Sequence, residues 1–277
     1  MAGSLPTSVA EQIEIEAYSE FAVGTREPAH TTLGIASRRF GSARAVTVRN
    51  DSTGFWTKAG GFDGPVTVDL LAEVCDFFRE HGARSGSIAI APDALPDDWP
   101  DISDKLGLRA GETFVKLGCE VDAALSGRDG LATLDPALRV EQVEPQHADR
   151  WAEVMMTTFE MTDEGMTDMA ASAIGRPNWR SFAVWDGDDI VATGSWFRHG
   201  AAADMFGGAT APAGRNRGAQ SALLTTRARF AAEQGCTWLV ADTEADPPGG
   251  HNPSLHNLMR LGLRPLYERT EWIWQSG

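Results

Sequence analysis

The sequence predicts a mixed α/β (α+β) fold, sheets flanked by helices, present in two copies. Three observations predict it. The chain has 277 residues, long for one ordinary domain and comfortable for two. Strand-like apolar runs alternate with helical patterns along its length. Finally, residues 69–93 and 222–246 resemble each other. At one fixed offset Leu70-Leu71 matches Leu223-Leu224, Phe77 matches Phe230, Glu80 matches Glu233, and Gly82 matches Gly235. After a short length change, Leu106-Gly107-Leu108-Arg109 matches Leu261-Gly262-Leu263-Arg264. The ordered set reads as two copies of one αβ unit.

The elements follow in order. Residues 8–23 suit an amphipathic helix. Residues 31–37 and 43–49 are β-rich and suggest a strand pair. Residues 66–81 form a helix closed by Gly82, and 86–91 read as a buried strand. The Pro/Asp-rich stretch 91–101 is a loop, and 112–121 a strand. Residues 124–136 are rich in Gly, Ser and Asp and form the natural linker. The domains are then 1–125 and 138–277, with the linker at 126–137. The second half runs strand 138–143, helices 147–159 and 163–174, and strand 180–186. A turn at Asp186-Gly187-Asp188 leads into strand 189–198 as a hairpin. Strand 201–210, helix 217–234, strand 237–243, helix 253–261 and strands at 264–268 and 271–275 complete it.

Composition narrows the function. A hydrophobic content of 42% supports a sizeable core. The formal charge of −15 argues against a nucleic-acid partner and would draw a cationic one. No apolar run approaches the roughly 20 residues needed to span a bilayer, so no membrane partner is expected. The opening residues show no basic or apolar leader pattern. Cys75, Cys119 and Cys236 lack metal spacing and read as reduced thiols of a cytoplasmic protein. The six tryptophans from Trp179 to Trp274 (Trp179, Trp185, Trp196, Trp238, Trp272 and Trp274) fall in or beside strands and read as packing residues.

The chemistry concentrates at residues 212–224, where an Arg/Gly turn runs into a helix. A helix start offers unpaired N–H groups and the positive end of the dipole. Gly218 lets the backbone approach a ligand closely, and Arg215 and Arg217 add cations suited to phosphate oxygens. The first copy has Phe62, Gly64 and Pro65 opposite Arg215, Arg217 and Gly218. Proline has no N–H to give, so the second half is the one expected to bind an anion.

This turn resembles the acyl-coenzyme-A signature of the Gcn5-related N-acetyltransferase (GNAT) superfamily, Arg/Gln-x-x-Gly-x-Gly/Ala after a strand and at a helix start. Here it reads Arg215-Asn216-Arg217-Gly218-Ala219-Gln220, with Gln220 where the family has Gly or Ala. Residues 254–263 resemble the family's later helix-plus-Gly-Phe motif, with Leu263 for Phe. The resemblance covers about residues 138–275. It implies a tandem GNAT form, each copy a mixed, largely antiparallel sheet flanked by helices, with a degenerate N-terminal copy. It implies acetyl-CoA as co-substrate, its pyrophosphate on the amides from Arg215 to Ser221. Gly208, Ala209 and Thr210 would polarise the thioester carbonyl and pair with pantetheine, and Asn257 would reach the coenzyme.

The acceptor would be a small amine, a cationic one with an apolar body suiting Phe159, Glu160, Met161, Asp163, Trp196 and Phe206. Direct attack needs a base and an acid. Asp204 leads the base candidates, ahead of Glu160, Asp163, Glu164 and Glu244. The family often places an acidic Tyr on the later helix, but Leu258 stands there, leaving Tyr267 and Ser254 as substitutes. No metal is expected: His251 and His256 are not spaced for one helical face, His199 is remote, and no carboxylate or cysteine completes a set. Gly-x-Ser-x-Gly, Gly-x-Gly-x-x-Gly and P-loop patterns are absent. The rival reading is an acyl-CoA-binding sensor without turnover. Acceptor identity and the choice between monomer and homodimer stay open.

Overall fold

The computed structural model describes residues 5–126 and 131–277; residues 127–130, in the expected linker, lie outside the described residues. The first half comprises α1 (Thr7–Val23), α2 (Ala29–Leu33), β1 (Ile35–Phe40), β2 (Ala43–Val48), β3 (Lys58–Gly60), α3 (Val68–Glu80), β4 (Ser85–Ala89), α4 (Trp99–Leu106), β5 (Arg109–Glu120) and α5 (Val121–Ser126). The second comprises β6 (Leu138–Gln142), α6 (Ala148–Thr158), α7 (Met166–Ala171), β7 (Trp179–Asp186), β8 (Asp189–His199), β9 (Ala202–Asp204), β10 (Ala209–Thr210), α8 (Ala219–Glu233), β11 (Trp238–Glu244), α9 (Pro253–Leu261) and β12 (Arg264–Gln275).

The repeat seen in the sequence is a repeat of elements. The series α3, β4, α4, β5 returns as α8, β11, α9, β12. Gly107 and Gly262 close α4 and α9 in the left-handed conformation that glycine adopts without a Cβ penalty.

All strands join one mixed, mostly antiparallel sheet in the order β1-β2-β3-β4-β12-β5-β11-β9-β8-β7-β6, with β10 beside β8. The parallel pairings, β3 with β4 and β9 with β11, sit at matching places in the two halves. The last strand of each half is exchanged into the other. β12 lies between β4 and β5, and β5 lies between β12 and β11. The expected strands at 264–268 and 271–275 are thus one strand, with irregularities at Pro265/Tyr267 and Thr270/Trp272.

Helix α1 departs from the expected amphipathic pattern. Ile13, Ala17 and Phe21 pack in the core, yet Glu11, Glu14 and Glu16 are buried too. Their charges are met by cations from several strands: Arg39 of β1 and Arg44 of β2 each lie 2.7 Å from Glu16, and the exchanged strands serve Glu11 and Glu14. Arg269 of β12 donates to Glu11 at 2.7 Å and to Glu14 at 2.9 Å. Lys116 of β5 pairs with Glu14, and Lys58 of β3 lies 3.4 Å from both Glu14 and Glu271. Buried charges persist only when paired in this way.

Other differences are local. Residues 29–33 form α2, so the first strand starts at Ile35. The Pro/Asp loop gives way at Trp99 to α4, whose early proline occupies the first turn, where a missing N–H costs nothing. The second helix of the C-terminal half is short, confined to α7. Strand 201–210 divides into β9 and β10, and that division builds the site.

Candidate active site

β9 pairs with β11 only through Ala202, Ala203 and Asp204, and one further bond runs from the Met205 N–H to the Val240 carbonyl. The chain then turns away through Phe206, Gly207 and Gly208 to pair with β8 at Ala209 and Thr210. β11 continues through Ala241 to Glu244, so a wedge opens between its end and the 207–210 segment. Arg227 of α8 fixes the divergence. Its guanidinium, 2% exposed, donates to the Ser195 carbonyl at 3.0 Å and the Phe206 carbonyl at 3.2 Å. Gly194 makes room for it, since a Cβ there would stand 3.1 Å from the guanidinium carbon. Burial lowers this guanidinium to about 10, with Asp204 opposing.

On one side of the wedge lies a groove of about 730 Å³ at the start of α8. Gly218 begins the helix at φ 76°, and a side chain there would collide with the Thr133 carbonyl. No side chain caps α8, and the N–H groups of Ala219, Gln220 and Ser221 have no partner among the described residues. Arg215 lines the groove without an ion pair among the described residues, beside Arg260 and His251. The matching start of α3 is closed: Thr67 accepts from the Leu70 N–H at 3.2 Å, and Phe62 is buried. The two helix starts differ, though by the Thr67 side-chain cap and not by Pro65.

Most of the expected coenzyme residues line this groove: Gly208, Thr210, Arg215, Asn216, Gly218, Ala219, Gln220, Ser221 and Asn257. Ala209 and Arg217 do not. The Arg217 guanidinium is bound by Asp135 at 2.8 Å and Asp186 at 2.6 Å, which raise its proton affinity. It clamps the linker to the end of β7, because its chain leaves the turn on the far side from the groove. Gln220 has a structural use. It donates to the Ser254 hydroxyl at 3.1 Å and accepts from Asn257 at 2.6 Å, tying α8 to α9.

On the other side of the wedge, joined to the groove through Gly208, Gln220 and Ser254, is a cleft of about 470 Å³. Both halves of the chain form it. Tyr18, Phe55, Trp56 and Phe114 come from the first, and Met155, Phe159, Met161 and Phe206 from the second. Asp242 and Glu244, two residues apart on β11 and hence on one face, supply its carboxylates.

The buried ionic cluster continues to the cleft wall. Burial opposes ionisation of Glu14, but Arg269, Lys116 and Lys58 outweigh it and hold its carboxyl well below the ordinary range. Glu271 is lowered too, burial being overcome by Lys58 and Arg269. Lys116 also stands 3.9 Å from Asp242, where it opposes burial without overcoming it. Asp242 is raised by burial and by Glu14, and Asp204 is raised well above its ordinary value by burial and by Asp242. Asp242 keeps 12% of its side chain exposed. It is a cleft carboxyl with raised proton affinity, the property a general base needs.

The expected catalytic residues distribute differently. Asp204 is 3% exposed and sits behind Asp242, not on the cleft wall. Tyr267 donates its hydroxyl to Glu11 at 2.7 Å within the ionic cluster, where burial and Glu11 raise its pKa. Ser254 does line the cleft, as does Leu258. Asp163 is occupied by the Ser52 N–H and hydroxyl, each at 2.7 Å. Glu160 and Glu164 do not reach the cleft, and Trp196 packs against Phe230 elsewhere. Asp242 and Tyr18 were not singled out from the sequence. One signal pointed to Asp242: at the offset aligning Gly82 with Gly235, Asp242 and Glu244 stand opposite Ala89 and Ala91.

Asp246, His251 and His256 converge on the loop before α9, their ligand-type atoms within 4.8 Å of one another. A carboxylate therefore does join the two histidines, contrary to the sequence reading, because the loop folds back so that the rings stack 4.0 Å apart. The three cysteines are free, and burial pushes Cys75 up to about 11 and Cys119 to about 12, leaving inert thiols. No helix among the described residues is long and apolar enough to cross a membrane.

No family model and no curated protein matches the sequence. Solved structures do resemble the chain. It is similar to a GCN5-related N-acetyltransferase from Kribbella flavida at TM-score 0.68 and 14% identity, covering 100% of this chain and 98% of that one. A tandem GNAT protein from the clavulanic acid biosynthesis pathway gives TM-score 0.60 and 13% identity, with 98% and 94% covered. A GCN5-related N-acetyltransferase from Sphaerobacter thermophilus gives TM-score 0.60 and 14% identity, again with 98% and 94% covered. At such identities the likeness is one of architecture: the chain has the tandem GNAT fold.

Proposed function

We propose that this protein is an acyl-CoA-dependent N-acyltransferase, using acetyl-CoA to acetylate a small amine by direct attack. The carrying observation is the wedge between β11 and residues 207–210, with an uncapped helix start on one side and a carboxylate-bearing cleft on the other. The fit to a diphosphate rests on the free N–H groups of Ala219 to Ser221 and on unpaired Arg215. Arg217 serves the site by shaping the turn. Gly208 to Thr210 turn the strand edge opposite β8 toward the wedge, available to an extended amide-bearing arm. Asn257 and Ser254 stand at the passage between groove and cleft.

The coenzyme supplies an activated acyl thioester. The chain's own part is to bind the amine beside Asp242, take up its proton at the carboxylate, and keep the cleft apolar around it. Asp242 is the base this geometry supports, with Asp204 behind it as a positioning residue. Ser254 is the cleft hydroxyl nearest the coenzyme groove and the candidate proton donor to the thiolate.

Calorimetry with acetyl-CoA, run beside a thiol-release assay over an amine panel, tests the reading. Binding with amine-dependent release is expected. Binding without release for any amine would favour the sensor, and absence of binding would remove the CoA site.

A further inference from the structure

We infer that the N-terminal half, although its own anion cradle is closed, recognises the acceptor, and that the acceptor is a monoamine on a flat aromatic body. This deepens the transferase reading and rests on it for the reaction, but not for the binding.

The first support is the composition of the cleft end away from the coenzyme groove. Tyr18 meets Phe55, Trp56 and Phe206 edge-to-face at centroid distances of 5.7, 5.5 and 5.3 Å. Trp56 is fixed from behind by Phe21, stacked at 5.0 Å. Such an array holds its rings rigid and offers faces and edges to another flat ring. Met155 and Met161 also line the cleft, with adaptable, polarizable side chains.

The second support is polar accounting. The Trp56 indole N–H is already spent on the Met161 sulfur at 3.2 Å. A hydroxyl-rich sugar or a polyamine would need many partners there, and unpaired polar groups are costly to bury. The acidic groups of the cleft are confined to Asp242 and Glu244 at one end, a place for one ammonium rather than several spaced ones. A volume of about 470 Å³ is toward the small end of ligand sites, which run to about 1,000 Å³.

The third is Tyr18. It is only 7% exposed, it lines the cleft, and its hydroxyl has no hydrogen-bond partner among the described residues. Its oxygen still meets the cleft space, where a ligand can reach it. Asp242 is among the charges that act on this hydroxyl. A nitrogen placed between the two would receive a partner from each half of the chain. Lys58, 4.6 Å from the Tyr18 ring centre, faces the cluster side and is neutralised by Glu14 and Glu271.

The test uses the full chain and two readouts. Calorimetry in the presence of CoA measures binding of 2-phenylethylamine, spermidine and kanamycin. Thiol release from acetyl-CoA measures their turnover. 2-Phenylethylamine is expected to bind about tenfold or more tighter than either polyamine, a gap that ring contacts of this kind supply. Phe55→Ala, at a half-buried position, should weaken that binding about tenfold with acetyl-CoA affinity unchanged. Tyr18→Phe should weaken it severalfold with the fold intact. Binding of 2-phenylethylamine without release from any amine would leave the recognition inference standing and overturn the transferase reading. Preferred binding or turnover of spermidine or kanamycin, or indifference to Phe55→Ala, would overturn the inference while sparing the transferase.

Discussion

Arg227 and Phe206 are joined by a 3.2 Å hydrogen bond from guanidinium to carbonyl, and that bond marks where the strand leaves its neighbour. The same guanidinium holds the Ser195 carbonyl of β8, so one buried cation ties the departing segment to β8. The site is a property of the helix core as much as of the strand.

Replacing Arg227 with Met should therefore remove the prop and take the guanidinium donor from the Ser195 carbonyl, while the Phe206 carbonyl keeps the Ser195 N–H at 2.8 Å. A loss of about 3 kcal/mol in urea unfolding is expected, with reduced thiol release in the fraction that stays folded. A variant as stable and as active as the parent would show the wedge to be held by other means.

Asp242→Asn should lower turnover about 100-fold and leave acetyl-CoA affinity alone, the scale of general-base effects. Because burial and Glu14 raise the Asp242 carboxyl, the rate of the parent should climb with pH to a plateau lying above the ordinary carboxylate range of about 4. The variant should lose that limb. An unchanged pH profile would transfer the role to another group.

Arg215→Glu should cut acetyl-CoA affinity at least about tenfold, since it reverses an unpaired charge in the groove. Arg217→Ala should change it much less and instead loosen the linker, measured as faster proteolysis near Asp135. Equal losses from both substitutions, read by calorimetry, would put the Arg217 side chain in the groove after all.

Asp204→Asn bears on stability. The Asp204 carboxyl is raised on folding, so the native state holds its proton longer than the unfolded chain does. Stability from this group is present at low pH and is lost as pH rises from about 4, the unfolded value, through the folded one. The Asn variant escapes that loss. Its melting temperature should gain on the parent between pH 4 and pH 8 (both about), followed by calorimetric scans. A constant difference across that range would contradict a raised Asp204.

The local elements were largely legible in the sequence, because periodicity, caps and the Leu-Gly-Leu repeats act over a few residues. The groove was legible for the same reason: a helix start, its glycine and its free N–H groups are neighbours in the chain. What escaped was long-range. Arg217 sits in the signature, yet its direction depends on Asp135 and Asp186, well apart in sequence. Residues 8–23 read as an amphipathic helix, and the burial of Glu11 and Glu14 depends on Arg269 and Lys116 from the exchanged strands. Tyr18 and Asp242 belong to different halves, so their common cleft had no local sign.

The exchange of β5 and β12 also bears on why a copy with no anion cradle persists. Each half, severed at the connecting segment, would lose the neighbouring strand the other supplies, and the N-terminal half would expose the charges of α1 where Arg269 of β12 had been. The half without a cradle thus acts as a keystone: its backbone completes the working sheet, and a single unit alone would leave that sheet open.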